Sequence, residues 1–327
     1  MRRIYRLLRL VLSAVPAFLA GCSSDGSLPE EVAVPLEFCA GGDALLSSSA
    51  TRAGNLPETA FDATVVLTMR QGEYSGLLGQ YEGGHAVSVG TDGGVSWKLQ
   101  SDGVQPVYPE TGDWLYAVAV SPMAVPDNNG CVSYTLTGKE DLLYAPEIRG
   151  NRWDGDRFSG NAVSGRDKPL AFSHLLTRLQ FKARKQQSGG IAVRIIRVAV
   201  NEAESTVTLP LATGIPTFSG TAGLSLHPGE GAGKEVPADG TTAVSLGNLL
   251  LPPLASGRSY TLEVETSAGT YRNIPITFSG QSATDILQAG MSHEILLTLS
   301  DTTLGIMSVT VTPWEPVSVD DDLELMP

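Results

Sequence analysis

Aromatic residues make up only 6% of the 327-residue chain and charged residues 17%, with 22 basic residues against 35 acidic ones. The formal net charge is -13, and a surface with such an excess of acid repels the phosphate backbone of DNA or RNA. The composition therefore argues against a nucleic-acid partner.

The chain also lacks the motifs of common catalytic and metal sites. Its four histidines are scattered without metal-ligand spacing, and no CxxC, HExxH, Gly-x-Ser-x-Gly or Walker sequence occurs. Asp154-Gly155-Asp156 lacks the later ligands of an EF-hand loop, so we interpret it as a solvated turn. We expect no enzymatic activity, no cofactor and no bound metal.

Beyond the N-terminus no stretch repeats its apolar residues at the 3.6-residue period of a helix. Glycine (36) and proline (20) are frequent, and short stretches of alternating apolar residues are separated by turn sequences such as Asp127-Asn128-Asn129-Gly130. The hydrophobic fraction of 42% is enough to fill cores. Together these features predict an all-β fold of the sandwich type.

Strands are predicted in both halves of the chain, on either side of a polar, loop-like stretch at 138–168. They are Thr64–Met69, Ala86–Val89, Val95–Leu99, Trp114–Val120, Val132–Leu136, Leu179–Ala183, Ala192–Val200, Thr206–Leu211, Ala243–Leu251, Ser259–Glu265, Asn273–Phe278 and a closing hairpin before Trp314. Because 327 residues are many for one core, we predict two domains in tandem, at 31–168 and 169–327.

The closing hairpin has the clearest strand pattern. Ile295, Leu297 and Leu299 occupy every second position, and the same alternation returns between Met307 and Val311. This pattern is typical of antiparallel strands with one buried face.

The N-terminus predicts an exported lipoprotein. Four arginines precede the apolar run Leu10–Leu19, which is too short to span a bilayer as a mature helix. The run ends in Leu19-Ala20-Gly21-Cys22, which is similar to the lipobox of bacterial lipoproteins. We interpret 1–21 as a lipoprotein signal peptide, Cys22 as the acylated residue and 22–30 as a flexible tether. The alternative is an ordinary signal peptide with a chance cysteine.

Export sets the expected location and the fate of the other cysteines. Position 23 is not aspartate, so the usual inner-membrane retention signal is absent, and we expect an outer-membrane lipoprotein held by its acyl chains. In an oxidising compartment Cys39 and Cys131 either form a bridge or remain two free thiols.

The segment 31–38 has the pattern of a defective strand. Because Pro35 cannot donate to a ladder, the segment belongs at a sheet edge or pairs incompletely. A polar loop at 40–55 follows, and its single basic residue, Arg52, lies where proteases commonly cut. The apolar residues of the segment share one face: Val32, Val34, Leu36 and Phe38.

Several local patterns resemble the fimbrillin family. The run Phe172–Phe181, FSHLLTRLQF, is similar to the family's F-x-H…L-x-F strand, and Leu249–Pro253 followed by Tyr260–Leu262 resembles its later strands. With the lipobox and the closing hairpin, these motifs extend over nearly the whole chain. The resemblance implies a type V pilus subunit or related surface adhesin, built from two transthyretin-like β-sandwiches and exported as a lipoprotein by Gram-negative anaerobes.

The resemblance also implies how the subunit assembles. In the family's pilins an arginine-specific protease removes the N-terminal strand and opens a groove, which a strand from the next subunit fills. Here cleavage at Arg52 would detach the proline-containing segment together with the lipid, leaving the subunit in the fimbrium. The donor is then either the hairpin Ile295–Val311 or the tail 316–327, whose alternating apolar residues are Val317, Val319, Leu323 and Leu325.

The expected partners are other pilin subunits, the outer membrane through the lipid before processing, and surface ligands of host or bacterial cells. The sequence is also compatible with the role of an uncut anchor subunit or of a tip subunit. The competing function is a surface glycan-binding lipoprotein in which Trp97, Trp114 and Trp153 stack on sugars, and that function requires the three to share one exposed surface.

Two further motifs have less specific interpretations. His174 stands at a strand start, where we expect a structural hydrogen bond rather than catalysis. Asp301-Thr302-Thr303 resembles a three-residue bacterial O-glycosylation signal at Thr302, or is only a hairpin turn.

Overall fold

The computed structural model describes residues 33–41, 59–75, 84–98, 104–158, 168–187, 191–255, 258–276, 287–300 and, for the backbone, 304–313. Among these residues no helix is both long and apolar enough to cross a membrane. Several predicted site residues lie outside the described ranges, and the predictions made for them stay predictions: Cys22, Val32, Arg52, Thr302, Val317, Val319, Leu323 and Leu325.

One six-stranded antiparallel sheet is built almost wholly from the first half of the chain. In spatial order its strands are β4 (Val95–Trp97), β3 (Gly84–Val89), β2 (Phe61–Thr68), β5 (Leu115–Ser121), β7 (Leu143–Gly150) and β9 (Ser173–His174). The central strands β2 and β5 are buried along most of their length, on both faces. The sheet therefore separates two cores.

A four-stranded sheet comes from the second half of the chain. In spatial order its strands are β14 (Val244–Leu251), β10 (Thr177–Lys185), β17 (Met291–Leu299) and β18 (Leu304–Pro313). The central pair, β10 and β17, runs parallel, and both outer pairs are antiparallel. The closing hairpin β17–β18 therefore completes a sheet that begins more than a hundred residues earlier.

The facing sheet is organised around β11 (Val193–Pro210), a strand of 18 residues. The strands that pair with β11 are β12 (Thr217–Leu226), β15 (Thr261–Thr266), β13 (Lys234–Val236) and β6 (Cys131–Thr135), and β16 (Gly269–Pro275) pairs with β15. A short 3₁₀ helix, Pro228–Gly231, connects β12 to β13. Because β6 precedes residue 168 in sequence yet pairs with β11, the two halves of the chain share this sheet. The division into tandem domains stays a prediction.

Alternation along the strands sends neighbouring residues into different cores. In β5, Ala117 and Ala119 belong to the core on one face of the first sheet, whereas Val118 and Val120 belong to the core on the other. This second core also contains inward residues of both second-half sheets, for example Phe181, Ile195, Leu262 and Ile295. Two layers facing across an apolar core make a β-sandwich, so the predicted all-β sandwich fold is confirmed.

Some predicted boundaries are wrong, for local reasons. The stretch 138–168 was predicted as loop, but it contains β7, in which Pro146 and the charged residues after it hide the strand pattern. β11 was predicted as two strands, yet it continues through a β-bulge at 200–203, where Glu202 adopts a left-handed conformation with φ 59°. β12 was missed because its outward side chains are small and polar.

The register of β17 gives a direct test of its buried face. Leu297 is completely buried, whereas the adjacent Leu296 faces the other side and is half-buried. We expect Leu297→Ala to lower the free energy of unfolding by about 2–5 kcal/mol, because it leaves a cavity in a packed core. Leu296→Ala should lower it by about 1 kcal/mol or less. Equal losses in urea titrations of the two variants would contradict the assigned register.

His293 in the same strand makes stability depend on pH. Burial disfavours its imidazolium form and lowers its pKa to about 4. The unfolded chain, with an ordinary histidine pKa near 6.5, therefore binds more protons than the folded chain between about pH 6.5 and 4. The free energy of unfolding should fall as pH decreases through this interval, with His293 contributing about 2 kcal/mol of the loss between pH 7 and 5.

Urea titrations of His293→Leu at the two pH values should show a correspondingly smaller loss than the unmodified protein. His227→Leu, which changes an exposed histidine, is the matched control and should keep the original pH dependence. If both variants and the unmodified protein lose the same stability, His293 does not titrate as described.

Candidate functional site

The N-terminal segment 33–41 runs in extended conformation over one face of the six-stranded sheet. Leu36, Phe38 and Ala40 point into the core and are 0%, 4% and 8% exposed, while Glu37 between them faces solvent. Val34 packs against the same core from a half-buried position. The segment therefore contributes a row of apolar side chains to this core, although it does not pair with the sheet as a continuous strand.

The backbone pairing of the segment is intermittent, and three separate stretches of chain supply it. The last two residues form β1 (Ala40–Gly41), which pairs in parallel with β8 (Leu170–Ala171). The isolated bridges are Pro35 to Val107 and Cys39 to Gly94. The hydrogen bonds that accompany them are Leu36 N to Pro106 O (2.8 Å), Tyr108 N to Val34 O (2.9 Å), Ala40 N to Gly93 O (2.8 Å) and Leu170 N to Cys39 O (2.9 Å).

The Leu36 carbonyl accepts two hydrogen bonds from side chains. Trp97 Nε1 donates to it at 2.8 Å and Gln105 Nε2 at 2.7 Å, so both lone pairs of the oxygen are used. The Trp97 ring also meets the Phe38 ring edge-on, with centroids 5.7 Å apart. Two side chains thus replace the ladder bonds that a neighbouring strand would otherwise make.

Aromatic rings form the floor beneath Phe38. Its ring centroid lies 4.5 Å from that of Phe158, which in turn stacks on Tyr108 at 5.6 Å. The Phe158 amide donates to the Tyr108 hydroxyl at 2.6 Å, and burial raises the pKa of this phenol. Without the segment, these rings and the apolar residues of β2 would face an open groove. We call this feature the N-terminal groove: the binding site of residues 33–41, bounded by Gly93–Trp97, Gln105–Tyr108, Phe158 and Leu170.

The predicted residues of the segment differ in how deeply they are buried. Leu36 and Phe38 lie inside the N-terminal groove, Val34 lies at its rim, and Ala40 extends the same alternation beyond the predicted strand. The incomplete pairing expected from Pro35 is present. Sequence reasoning missed Gln105 and considered Trp97 only for sugar stacking, in the competing function. Both side chains reach the segment from more than sixty residues away, and no local pattern marks them.

The structure also describes the three tryptophans considered for sugar stacking and the two cysteines considered for a bridge. Trp97 is engaged in the groove and Trp114 is half-buried, whereas Trp153 is exposed. No disulfide joins Cys39 to Cys131, so the structure holds the unbridged alternative.

His174 lies buried in β9, with its Nδ1 2.8 Å from Asp141 Oδ1. This contact is the structural hydrogen bond that we expected for it. Among the described residues, no three side chains of histidine, cysteine, aspartate or glutamate are grouped to hold a metal ion. Our expectation of no metal or cofactor stays a prediction.

The anchoring role of Phe38 can be measured in the intact chain. Phe38→Ala should lower the free energy of unfolding by about 3–5 kcal/mol, because it leaves a cavity against Phe158 and Trp97. Glu37→Ala, which changes the exposed neighbour, should cost about 1 kcal/mol or less. Thermal and urea denaturation would compare them, and a small loss for Phe38→Ala would show that the groove is not tightly filled.

Solved structures share the fold described above. A candidate cell adhesion protein from Bacteroides uniformis ATCC 8492 is 14% identical with a TM-score of 0.56, covering 86% of this chain and 99% of its own. A candidate cell adhesion protein from Bacteroides ovatus ATCC 8483 is 15% identical with a TM-score of 0.57, covering 87% of this chain and 99% of its own. At these identities the likeness shows a common fold.

No curated protein matches the chain. The fimbrillin-like family matches residues 51–314, most of the sequence, and its match includes the six-stranded sheet and both second-half sheets. This chain therefore belongs to the fimbrillin-like family.

Proposed function

We propose that this protein is an adhesive subunit of a type V pilus that polymerises by strand exchange after proteolysis at Arg52. The observation that carries the proposal is the N-terminal groove. An apolar core is completed by a terminal segment that pairs with its surroundings only intermittently and joins β2 through a single connection containing Arg52. A cut at Arg52 would leave this segment bound by non-covalent contacts alone.

The energetics favour replacement of the segment over its simple loss. Burial of Leu36 and Phe38 stabilises the bound state by roughly 1.5–3 kcal/mol for each side chain, and each hydrogen bond adds about 0.5–1.5 kcal/mol. An empty groove would expose the aromatic floor and leave ladder groups unpaired. A strand from another subunit restores both the apolar burial and the hydrogen bonds as it enters, so exchange costs much less free energy than dissociation.

The tail 316–327 is the better donor of the two alternatives. As a donor, the hairpin would have to separate β17 from β10, its other partner in the sheet, which would uncover the buried residues Ile295, Leu297 and Leu299. The tail follows β18, an edge strand of the described sheet, so a tail donor would keep β17 paired with β10. Val317 and Val319 repeat the every-second-residue spacing of Leu36 and Phe38.

The same proposal assigns location and partners. The chain would reach the outer membrane as a lipoprotein acylated at Cys22, expose its folded part at the cell surface, and enter the fimbrium after processing. Membership of the fimbrillin-like family supports a surface or fimbrial location and assembly with other pilin subunits. Adhesion to host or bacterial surfaces, rather than enzymatic activity, would be its role. The alternative function that needs three exposed tryptophans is weakened by the engagement of Trp97 in the groove.

Cleavage and assembly can be followed on residues 22–327 with Cys22 changed to serine. Treatment with an arginine-specific protease should cut after Arg52, and the short fragment should stay bound until a donor displaces it. Ladders or filaments should then appear in size-exclusion chromatography and electron microscopy. Arg52→Ala should remain intact at this position and monomeric.

A donor variant separates cutting from polymerisation. Val319→Asp places a charge among the tail's apolar residues, so this variant should be cut normally yet fail to polymerise, since a buried unpaired charge opposes insertion. Ser318→Asp introduces the same charge at the adjacent position, on the opposite face of an extended tail, and is the matched control that should still polymerise. Assembly of Arg52→Ala, or a cut protein that stays monomeric, would overturn the proposal that the subunit polymerises after cleavage at Arg52.

A further inference from the structure

Trp153 is a large aromatic side chain that the fold holds at the surface. It is 56% exposed, and the other large apolar side chains exposed within the described ranges are aliphatic or methionine. It lies in the loop 151–158 that follows β7, at the end of the six-stranded sheet where β5 begins. The N-terminal groove does not use its indole, so its exposure needs a separate explanation.

The loop fixes the position of Trp153. The Asn151 side-chain oxygen accepts the Trp153 amide at 2.9 Å, and the Asp156 amide donates to the Trp153 carbonyl at 3.0 Å. The Asn151 amide in turn donates to the Asp156 carbonyl at 3.0 Å, and Asn151 itself is buried. The backbone under the indole is therefore ordered before any ligand arrives, which reduces the entropy lost on binding.

The indole also packs against a second loop. Gly112 closes the turn 109–112 with φ 77°, and a Cβ atom there would lie 2.7 Å from Trp153 Nε1. Only a glycine allows the ring to lie this close to the turn while the backbone keeps a left-handed conformation. Backbone thus lies close to one part of the indole, while just over half of the Trp153 surface stays exposed.

The two loops that hold the indole carry charged side chains of both signs. The guanidinium of Arg152 lies 5.6 Å from the Trp153 ring centroid and donates to the Glu110 carbonyl at 2.6 Å. Arg157 pairs with Asp154 at 3.0 Å. The two loops and the residues beside them carry charges of both signs in equal number: Arg149, Arg152, Arg157 and Lys168, and Glu110, Asp113, Asp154 and Asp156. Of the cations, Arg149 and Lys168 lie over the Trp114 ring.

We propose that Trp153 is the platform of a binding site for a neutral saccharide containing β-linked hexopyranose. Such a sugar presents axial C–H bonds on one ring face, which stack on an indole, and hydroxyl groups at its edge, which bond to carboxylates and guanidinium groups. The balance of charge fits an uncharged polyhydroxylated ligand better than an anion. A single exposed ring is also far smaller than the roughly 800 Å² that each partner buries in a stable protein interface.

This site would give the subunit a ligand of its own, independent of strand exchange. Its test therefore uses the uncut protein, residues 22–327 with Cys22 changed to serine, titrated with cellotetraose and with lactose. Isothermal calorimetry and tryptophan fluorescence should show saturable binding of at least one of these β-linked probes, with a smaller response to the α-linked maltotetraose.

Variants at the two loops identify the platform. Trp153→Ala should weaken binding at least tenfold, and Trp153→Phe should recover part of the affinity because a smaller ring still stacks. Gly112→Ala should weaken binding with Trp153 still present, since its Cβ displaces the indole. Ile215→Ala removes a distant exposed apolar side chain and should bind like the unmodified protein.

Two results would overturn the proposal. They are absence of binding to both β-linked probes by the unmodified chain, and unchanged affinity in Trp153→Ala. Circular dichroism spectra that match that of the unmodified protein would establish that the Trp153 variants are folded. The Trp153 variants then decide the proposal, whether or not Gly112→Ala folds.

Discussion

Burial of Leu36 and Phe38 is the contact on which the first core depends. The six-stranded sheet has apolar residues on both faces, and the second-half sheets cover only one of them. The other face is closed by the segment 33–41 together with Tyr108, Phe158, Leu170 and Phe172. A terminal segment is therefore a structural part of the core, although few backbone bonds hold it, and side-chain donors from Trp97 and Gln105 compensate at Leu36. This combination of deep burial and sparse pairing distinguishes the segment from an ordinary first strand, which pairs along its whole length.

Local patterns in the sequence predicted most strands because each needs only alternation and a turn. The buried row Ile295, Leu297 and Leu299 was assigned to the correct face on that basis. The same reasoning failed at β7, where Pro146 interrupts the pattern, and at β11, where a single left-handed residue, Glu202, lets two apparent strands continue as one. Both failures arise where backbone geometry, rather than side-chain polarity, decides the element.

The sequence predicted the buried residues of the N-terminal segment but not the groove that holds them. Alternation identified Leu36 and Phe38, and Pro35 indicated that pairing would be incomplete. The surroundings of the N-terminal groove were not predictable, since they come from four stretches that are separated in sequence and are brought together by the fold. The platform at Trp153 shows the same limit. Its exposure depends on Gly112, some forty residues away, and composition gives no sign of that contact.

The parallel pairing of β10 with β17 has a consequence for the timing of folding. Thr177 and Met291, which are linked by a hydrogen bond between these strands, are 114 residues apart in sequence. Contacts between such distant residues form late, because a long loop must close before they contribute any stability. A chain that emerges N-terminus first cannot complete its second core until residues 291–299 have appeared. Until then β10 lacks a neighbour on one side, and the protein depends on remaining soluble in a partly paired state.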